Sequence, residues 1–280
     1  MKINISQKEK AERLRKLHHA DKMLVLPNIW DALGALLLES LDYPAIATAS
    51  AAIAYANGYN DGEKIPFTEL LLLLKKITAI VEIPVTADIE CGYADNDFQL
   101  QENIKALIDV GIVGINIEDT DNKTNILLPI EMQCNKIRII RKVADEMNIP
   151  LFINARTDVY LHENNFANEK FDEIIKRGMA YKEAGANGFF PITLTNEIEI
   201  KEIIEQINLP LNVLTISGIP DLKTLSELGV ARVSLGPSFL KIAIRAMKQL
   251  AIQLKNGEGL SSIIGNEIIS DYLKNLVNKT

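Results

Sequence analysis

The sequence predicts an α/β fold, a (β/α)8 TIM barrel with extra N- and C-terminal helices. Eight short apolar runs, mostly β-branched, recur along the chain, and segments of helical periodicity separate them. Gly- or Pro-bearing turns such as Ile83-Pro84, Val110-Gly111 and Ala184-Gly185 close several of those segments just before the next run.

Taken in order, the run Met23–Leu26 precedes a helix over Asp31–Leu41, and Ala45–Ala49 precedes one over Phe67–Val81. Val85–Ala87 leads to Asp97–Val110, Gly114–Ile117 to Met132–Met147, and Leu151–Ile153 to Phe171–Ala184. Gly188–Ile192 leads to Glu197–Ile207, Leu211–Ile216 to Asp221–Leu228, and Arg232–Leu235 to Phe239–Leu254. Eight such units in about 230 residues suit a barrel of roughly 250. A doubly wound open sheet is the competitor, but it rarely needs eight units and no GxGxxG follows the first strand. Met1–Asp21 reads as a helix leading into the barrel. Leu260–Leu276 reads as an amphipathic helix after its closure, packed on its own barrel or on a neighbouring subunit. One domain over residues 1–280 is expected, with the barrel at about 22–255 and a helical extension at about 256–280.

With 48% hydrophobic and 24% charged residues, the chain has the makings of a sizeable core. A formal charge of -7 and a pI near 5.2 argue against nucleic acid or an anionic membrane as partner. A small acidic substrate remains compatible, because local cations outweigh the total. Cys91 and Cys134 are the two cysteines, outside any CxxC spacing, so a reducing cytosol is expected. The segment Met1–His19 lacks the apolar core of a signal peptide, and Leu36–Leu38 and Leu70–Leu74 are too short to cross a bilayer.

Barrel chemistry sits where the strands end, in the βα loops. Polar residues gather there: Asn28, Trp30 and Asp31 after the first strand, Ser50 after the second, Asp88 and Glu90 after the third. Glu118 and Asp119 follow the fourth, Asn154, Arg156 and Asp158 the fifth, while Asn212 and Ser234 lie on the seventh and eighth. Strand residues two apart share a side, so Asp88 and Glu90 are expected to project together. Crowded carboxylates repel in a low-dielectric cleft, and one protonates unless a cation neutralises them. All-oxygen ligation suits magnesium or manganese rather than zinc. Arg156 is the obvious cation among these acids, a fork for a substrate carboxylate. A metal-assisted enzyme acting on a small carboxylate is the expectation.

Seven stretches together resemble the isocitrate lyase/phosphoenolpyruvate mutase superfamily. They are Leu26-Pro27-Asn28-Ile29-Trp30-Asp31-Ala32, Ala47-Thr48-Ala49-Ser50-Ala51-Ala52 and Gly58-Tyr59-Asn60-Asp61-Gly62-Glu63. Ala87-Asp88-Ile89-Glu90-Cys91-Gly92-Tyr93, Gly114-Ile115-Asn116-Ile117-Glu118-Asp119 and Asn154-Ala155-Arg156-Thr157-Asp158 follow, then Gly229-Val230-Ala231-Arg232-Val233-Ser234-Leu235-Gly236. The resemblance implies that Asp88 ligates Mg2+, with Mn2+ as the alternative ion, and that Glu90 and Glu118 hold its waters or complete its shell. It implies that Asp61 contributes to the metal and substrate site, and that Ser50 with the amides of Ala51 and Ala52 cradles the substrate carboxylate or oxo oxygen. Arg156 is implied to bind substrate and stabilise charge at the reacting end. Arg156, Glu118 and Asp61 are thus the expected catalytic residues, and Asn212 joins the expected substrate-binding set.

The implied activity is Mg2+-dependent cleavage of a C–C bond next to a 2-oxo acid, or of a substituted malate or oxaloacetate, through a pyruvate-type enolate. A homo-oligomer, dimer or tetramer, that exchanges C-terminal helices is implied as well. Isocitrate and methylisocitrate lyases carry a Lys-Lys/Arg-Cys-Gly-His loop after the fourth-strand Glu-Asp, whereas residues 120–129 here hold neither cysteine nor histidine. Isocitrate cleavage is therefore disfavoured. Lys123-Thr124-Asn125 resembles the gating-loop Lys-Thr-Asn of phosphoenolpyruvate mutase at a shorter spacing from Asp119, which keeps C–P chemistry (mutase or phosphonopyruvate hydrolase) as the alternative. A catalytically silent barrel that binds small acids is the third reading.

Plainer roles stand beside these. Asp88, Glu90 and Glu118 could be solvated surface acids, and Asp119 a cap on the next loop. Arg156 could be an ion-pair partner of Asp158 or Glu118. Ser50 and Asp61 could simply serve turns. Cys91 reads as a packing residue, and none of His18, His19 and His162 is assigned to catalysis.

Overall fold

The computed structural model describes residues 5–162, 166 and 169–278. The outermost residues of the two expected end segments, 1–4 and 279–280, lie outside it. The strands are β1 (Leu24–Leu26), β2 (Asn28–Ile29), β3 (Ile46–Thr48), β4 (Val85–Asp88), β5 (Gly114–Ile117), β6 (Thr120–Asp121), β7 (Ile126–Leu127), β8 (Phe152–Thr157), β9 (Gly188–Pro191), β10 (Asn212–Leu214) and β11 (Arg232–Ser234). Pro27 lacks an N–H to donate and separates β1, the first expected strand, from β2 just beyond it.

Parallel pairing runs β2-β3-β4-β5-β8-β9, and a parallel bridge from Phe189 to Leu211 carries it to the start of β10. Pairing of β10 with β11, and of β11 with β1, closes the cylinder in the register Leu24, Arg232, Asn212. All eight expected strands are present in the expected order. Asn28 fastens the seam: its amide donates to the Thr48 carbonyl and its oxygen accepts from the Leu235 and Gly236 amides.

The outer helices are α2 (Ala32–Ser40), α4 (Phe67–Ile80), α5 (Asp97–Asp109), α6 (Ile130–Glu146), α7 (Lys170–Ala184), α8 (Glu197–Ile207) and α9 (Leu222–Glu227). Each turns one apolar stripe inward, as Leu70, Leu74 and Ile77 do on α4, and the buried residues merge into a continuous core. Gly185, at a left-handed φ of 108°, ends α7 so that the chain can re-enter the sheet.

The N-terminal end of the barrel is stoppered by α1 (Gln7–His18), which starts at a Ser6/Glu9 capping box. Leu14 and Ala11 pack with Leu24, Val113 and Phe152. A Cβ at Gly114 would lie 2.6 Å from the Leu14 side chain, so glycine keeps that space open. His18 stacks on Phe152 with ring centroids 3.8 Å apart. Burial, reinforced by the charge of Arg232, pushes its pKa down to about 3.

Three local departures from the expected layout matter. The chain after β3 is not a bare turn: Ser50–Ala56 forms a short helix, α3. Between β5 and α6, β6 and β7 pair as an antiparallel hairpin. The expected single helix over Leu260–Leu276 is two, α11 (Leu260–Ile264) and α12 (Ser270–Val277), because Gly265-Asn266 interrupts it. Here α12 packs on α2 of its own chain, while α10 (Ser238–Lys255) buries Leu240 and leaves Ile242, Ile244 and Met247 exposed.

Candidate active site

At the C-terminal mouth, β4 delivers Asp88, and the Ser50 hydroxyl at the start of α3 donates to it at 3.0 Å. Strand alternation does not place Glu90, contrary to expectation. The strand ends at Asp88, and Glu90 takes a left-handed φ of 51°, as does Tyr93 at 54°. Such backbone in non-glycine residues is costly and is retained at functional turns. The turn sends Glu90 into a buried pocket, where it accepts from Tyr93 Oη at 3.0 Å, the Glu63 amide at 2.8 Å and Asn122 Nδ2 at 3.3 Å.

Glu118, after β5, meets Arg156 Nη1 at 2.6 Å. Arg156 also spends its fork on Asp158, with Nε at 2.6 Å and Nη2 at 3.2 Å. Asp119 turns away from the mouth, as its plainer reading has it. It is fully buried and accepts from Thr157 Oγ1, the Asp158 amide, Arg177 Nη1 and Tyr181 Oη. That network clamps the β8 end and hence aims Arg156.

The expected residues line a cleft of two lobes, each about 250 Å³. Ser50, Asp61 and Arg156 border both. The first lobe adds Glu90, Glu118, Thr120, Asn122 and Asn125, and the second adds Asp88, Asn116 and Ala51. Ala51 and Ala52 sit in the first turn of α3, where amides have no intrahelical acceptor, and Ala51 lines the second lobe. Ala52 itself is fully buried.

Besides Ala52, which lines neither lobe, Asn212 is the exception to the expected set. It lies inside the barrel beneath Ser234, whose hydroxyl it accepts at 3.1 Å, and lines neither lobe. Its position along β10 is one layer below the rim. His162 is the converse case, set aside in the sequence yet lining the acidic lobe with Nε2 3.3 Å from Thr120 Oγ1. No spacing rule pointed to it, because it arrives on the loop after β8.

The electrostatics of the rim show a deficit of positive charge. Burial, then repulsion from Asp61 and Asp88, pushes Glu90 up to about 8. Burial and Asp88 raise Asp61. Burial also drives Glu118 well up, against the pull of Arg156. Burial works against the charge on Arg156, but Glu118 and Asp158 more than offset it and the net direction is upward. Carboxylates in this condition are suited to a cation.

Among the described residues no three metal-ligating side chains converge into a ready-made cage. The donor set nonetheless suits magnesium, which keeps several waters and uses one or two carboxylates. If such an ion binds, Asp88 would be its direct ligand, and Glu90 and Glu118, already engaged by protein donors, would hold its waters.

A cluster of buried acids at the C-terminal mouth of a parallel barrel marks the class, and comparison with known proteins gives the family. The family model described as phosphoenolpyruvate phosphomutase matches residues 14–255. The chain belongs to this family, within the isocitrate lyase/phosphoenolpyruvate mutase superfamily of lyases and mutases, and is an enzyme of that superfamily. It is 30% identical over 264 residues to an uncharacterized protein of Mycobacterium tuberculosis, covering 94% of this chain and 97% of that one. It is 30% identical over 213 residues to 2-methylisocitrate lyase of Bacillus subtilis, covering 74% and 67%. A crystal structure from Burkholderia cenocepacia, provisionally described as a phosphonomutase, superposes with a TM-score of 0.81 at 36% identity over 88% of this chain and 99% of that one. No helix among the described residues is long and apolar enough to cross a membrane.

Proposed function

We propose that this enzyme is a magnesium-dependent lyase that breaks a C–C bond adjacent to a 2-oxo acid, or within a substituted malate, leaving a pyruvate-type enolate. The observation that carries the reading is the uncompensated acid rim beside the free first-turn amides of α3. Bound magnesium, or manganese, would supply positive charge where the enolate oxygen becomes negative. The chain's own residues do the positioning. Ser50 holds Asp88 toward the cleft, and the Ala51 and Ala52 amides take one end of the substrate. Arg156, held rigid between Glu118 and Asp158, presents its remaining N–H groups to the reacting end. With an oxaloacetate-type substrate, CO2 departs, the electrons of the broken bond pass onto the 2-oxo group as an enolate, and protonation at carbon releases the keto acid. With a substituted malate, the 2-hydroxyl gives up its proton as its carbon becomes the carbonyl of the keto acid. The electrons then pass to the other fragment, which is protonated in turn.

C–C cleavage is supported by the B. subtilis relative, named for that type of reaction. C–P chemistry is supported by the Burkholderia structure and by Lys123-Thr124-Asn125 on the hairpin at the cleft. Pyruvate release from oxaloacetate and from methyl-substituted malates, set against release from phosphonopyruvate, separates the two. Turnover is expected with the first group, lost on chelation, and lost in Asp88→Ala while that variant still unfolds cooperatively. Chelator-resistant turnover, or an unimpaired Asp88→Ala enzyme, would remove the metal from the reading. We also propose that copies of the chain assemble as a dimer or tetramer, supported by the exposed apolar side chains of α10.

A further inference from the structure

Cleavage leaves an electron-rich carbon that must take up a proton, yet residues 120–129 hold neither cysteine nor histidine to supply it. The acidic lobe is bordered by the ionisable side chains of Asp61, Glu90, Glu118, Arg156, Asp158 and His162. Most are committed. Arg156 grips Glu118 and Asp158, each at 2.6 Å. Glu90 accepts from Tyr93 Oη, the Glu63 amide and Asn122 Nδ2. Asp61 faces Asp88 and Ser50, on the side where the ion would lie.

His162 stands apart from these engagements. Its Nε2 lies 3.3 Å from Thr120 Oγ1, and Nδ1 has no hydrogen-bond partner among the described residues. The turn after β8 fixes its position: the amides of Leu161 and His162 donate to the Asp158 carbonyl at 2.8 and 3.2 Å. The imidazole therefore rises from the same turn whose Asp158 carboxylate holds Arg156. Thr120 is 5% exposed and paired within the β6–β7 hairpin, so its hydroxyl is a fixed anchor for the ring. His162 itself is half-buried, which leaves it a route to solvent for reloading.

We propose that His162 is the catalytic acid of this enzyme, delivering a proton to the carbon left electron-rich by C–C cleavage, with Thr120 as its positioning residue. The assignment rests on the lyase reading above and supplies the proton donor that reading lacks. The step balances. The Nδ1–H bond breaks, the electron pair on the enolate carbon forms the new C–H bond, and the enolate oxygen returns to a carbonyl. Neutral imidazole remains, with Nε2 against Thr120, and solvent restores its proton. Imidazole is the commonest side chain in this role, and geometry decides whether it can act.

The reverse of this step is measurable without knowing the substrate. Proton NMR in D2O with Mg2+ follows exchange of the methyl protons of pyruvate and, with pyruvate present, of the methylene protons of propionate. The wild type is expected to catalyse exchange in one of them. His162→Gln should slow it by about 100- to 10,000-fold, the span of general acid–base catalysis. Oxalate affinity, read by titration calorimetry with Mg2+, should stay within about threefold, since binding does not need the proton. Added imidazole should restore part of the exchange to His162→Ala, saturating with its concentration. Thr120→Val should cost about fivefold in exchange, the worth of one hydrogen bond, at unchanged oxalate affinity. Near-wild-type exchange in His162→Gln would overturn the assignment and pass the role to Asp61. Exchange lost together with oxalate binding, and not restored by imidazole, would overturn it by making His162 structural. A wild type that exchanges neither probe would sink the lyase reading, and this assignment with it.

Discussion

Glu90 and His18 give the protein opposite responses to pH. With its pKa raised from 4.5 to about 8, the folded metal-free protein keeps a proton on Glu90 that the unfolded chain has lost. Stability from that difference is present at low pH and disappears as pH climbs through about 8. His18, lowered from 6.5 to about 3, does the reverse: the unfolded chain takes up the proton first, so stability present above 6.5 is lost as pH falls toward 3. Thermal melts in chelator should therefore peak at intermediate pH, with Glu90→Gln flattening the alkaline limb and His18→Phe the acid limb. Because cation binding expels the Glu90 proton, Mg2+ should raise the melting temperature more at about pH 8 than at about pH 6. A pH-independent shift would uncouple Glu90 from the ion. Asp88 and Glu118 were legible in the sequence because they end or directly follow buried strands, where an unbalanced charge is conspicuous, whereas Asp61 came only with the family resemblance. The depth of Asn212 was not legible, since a strand position does not reveal which layer of the barrel it occupies.

Among the elements, α1 does more than lead into the barrel. Leu14 is fully buried where α1 meets the barrel's lower end, so Leu14→Ala should lower the unfolding free energy by about 2–5 kcal/mol in denaturant titration. Oxalate binding at the opposite end should be unaffected. A smaller loss would mean that α1 rests on the barrel without sealing it. The eight strands and their long helices could be read in advance, because β-branched runs and helical periodicity alternate without a break. The short elements could not. In α3, seven residues rich in alanine follow a strand with no periodic signal. In the β6–β7 hairpin, two residues on each side leave no alternation to detect. Both are built by tertiary context, and both border the cleft.

For the molecule as a whole, the proposed self-association makes a measurable claim. Ile244 and Met247 on α10 are 51% and 66% exposed in the single chain. Light scattering should report a dimer or tetramer for the wild type and a smaller species for Ile244→Asp/Met247→Asp, because a buried carboxylate in an apolar contact is unfavourable. An unchanged mass in the double variant would place the contact elsewhere. The seam of the cylinder has a further consequence. Leu24 reaches its partner only in Arg232, so the two lips that meet are 232 − 24 = 208 residues apart in the polypeptide. A ribosome working from the amino end must release nearly every other rung before the last joint can form. Until then the growing sheet presents a bare border of amide and carbonyl groups, which a holding chaperone or another nascent copy can occupy.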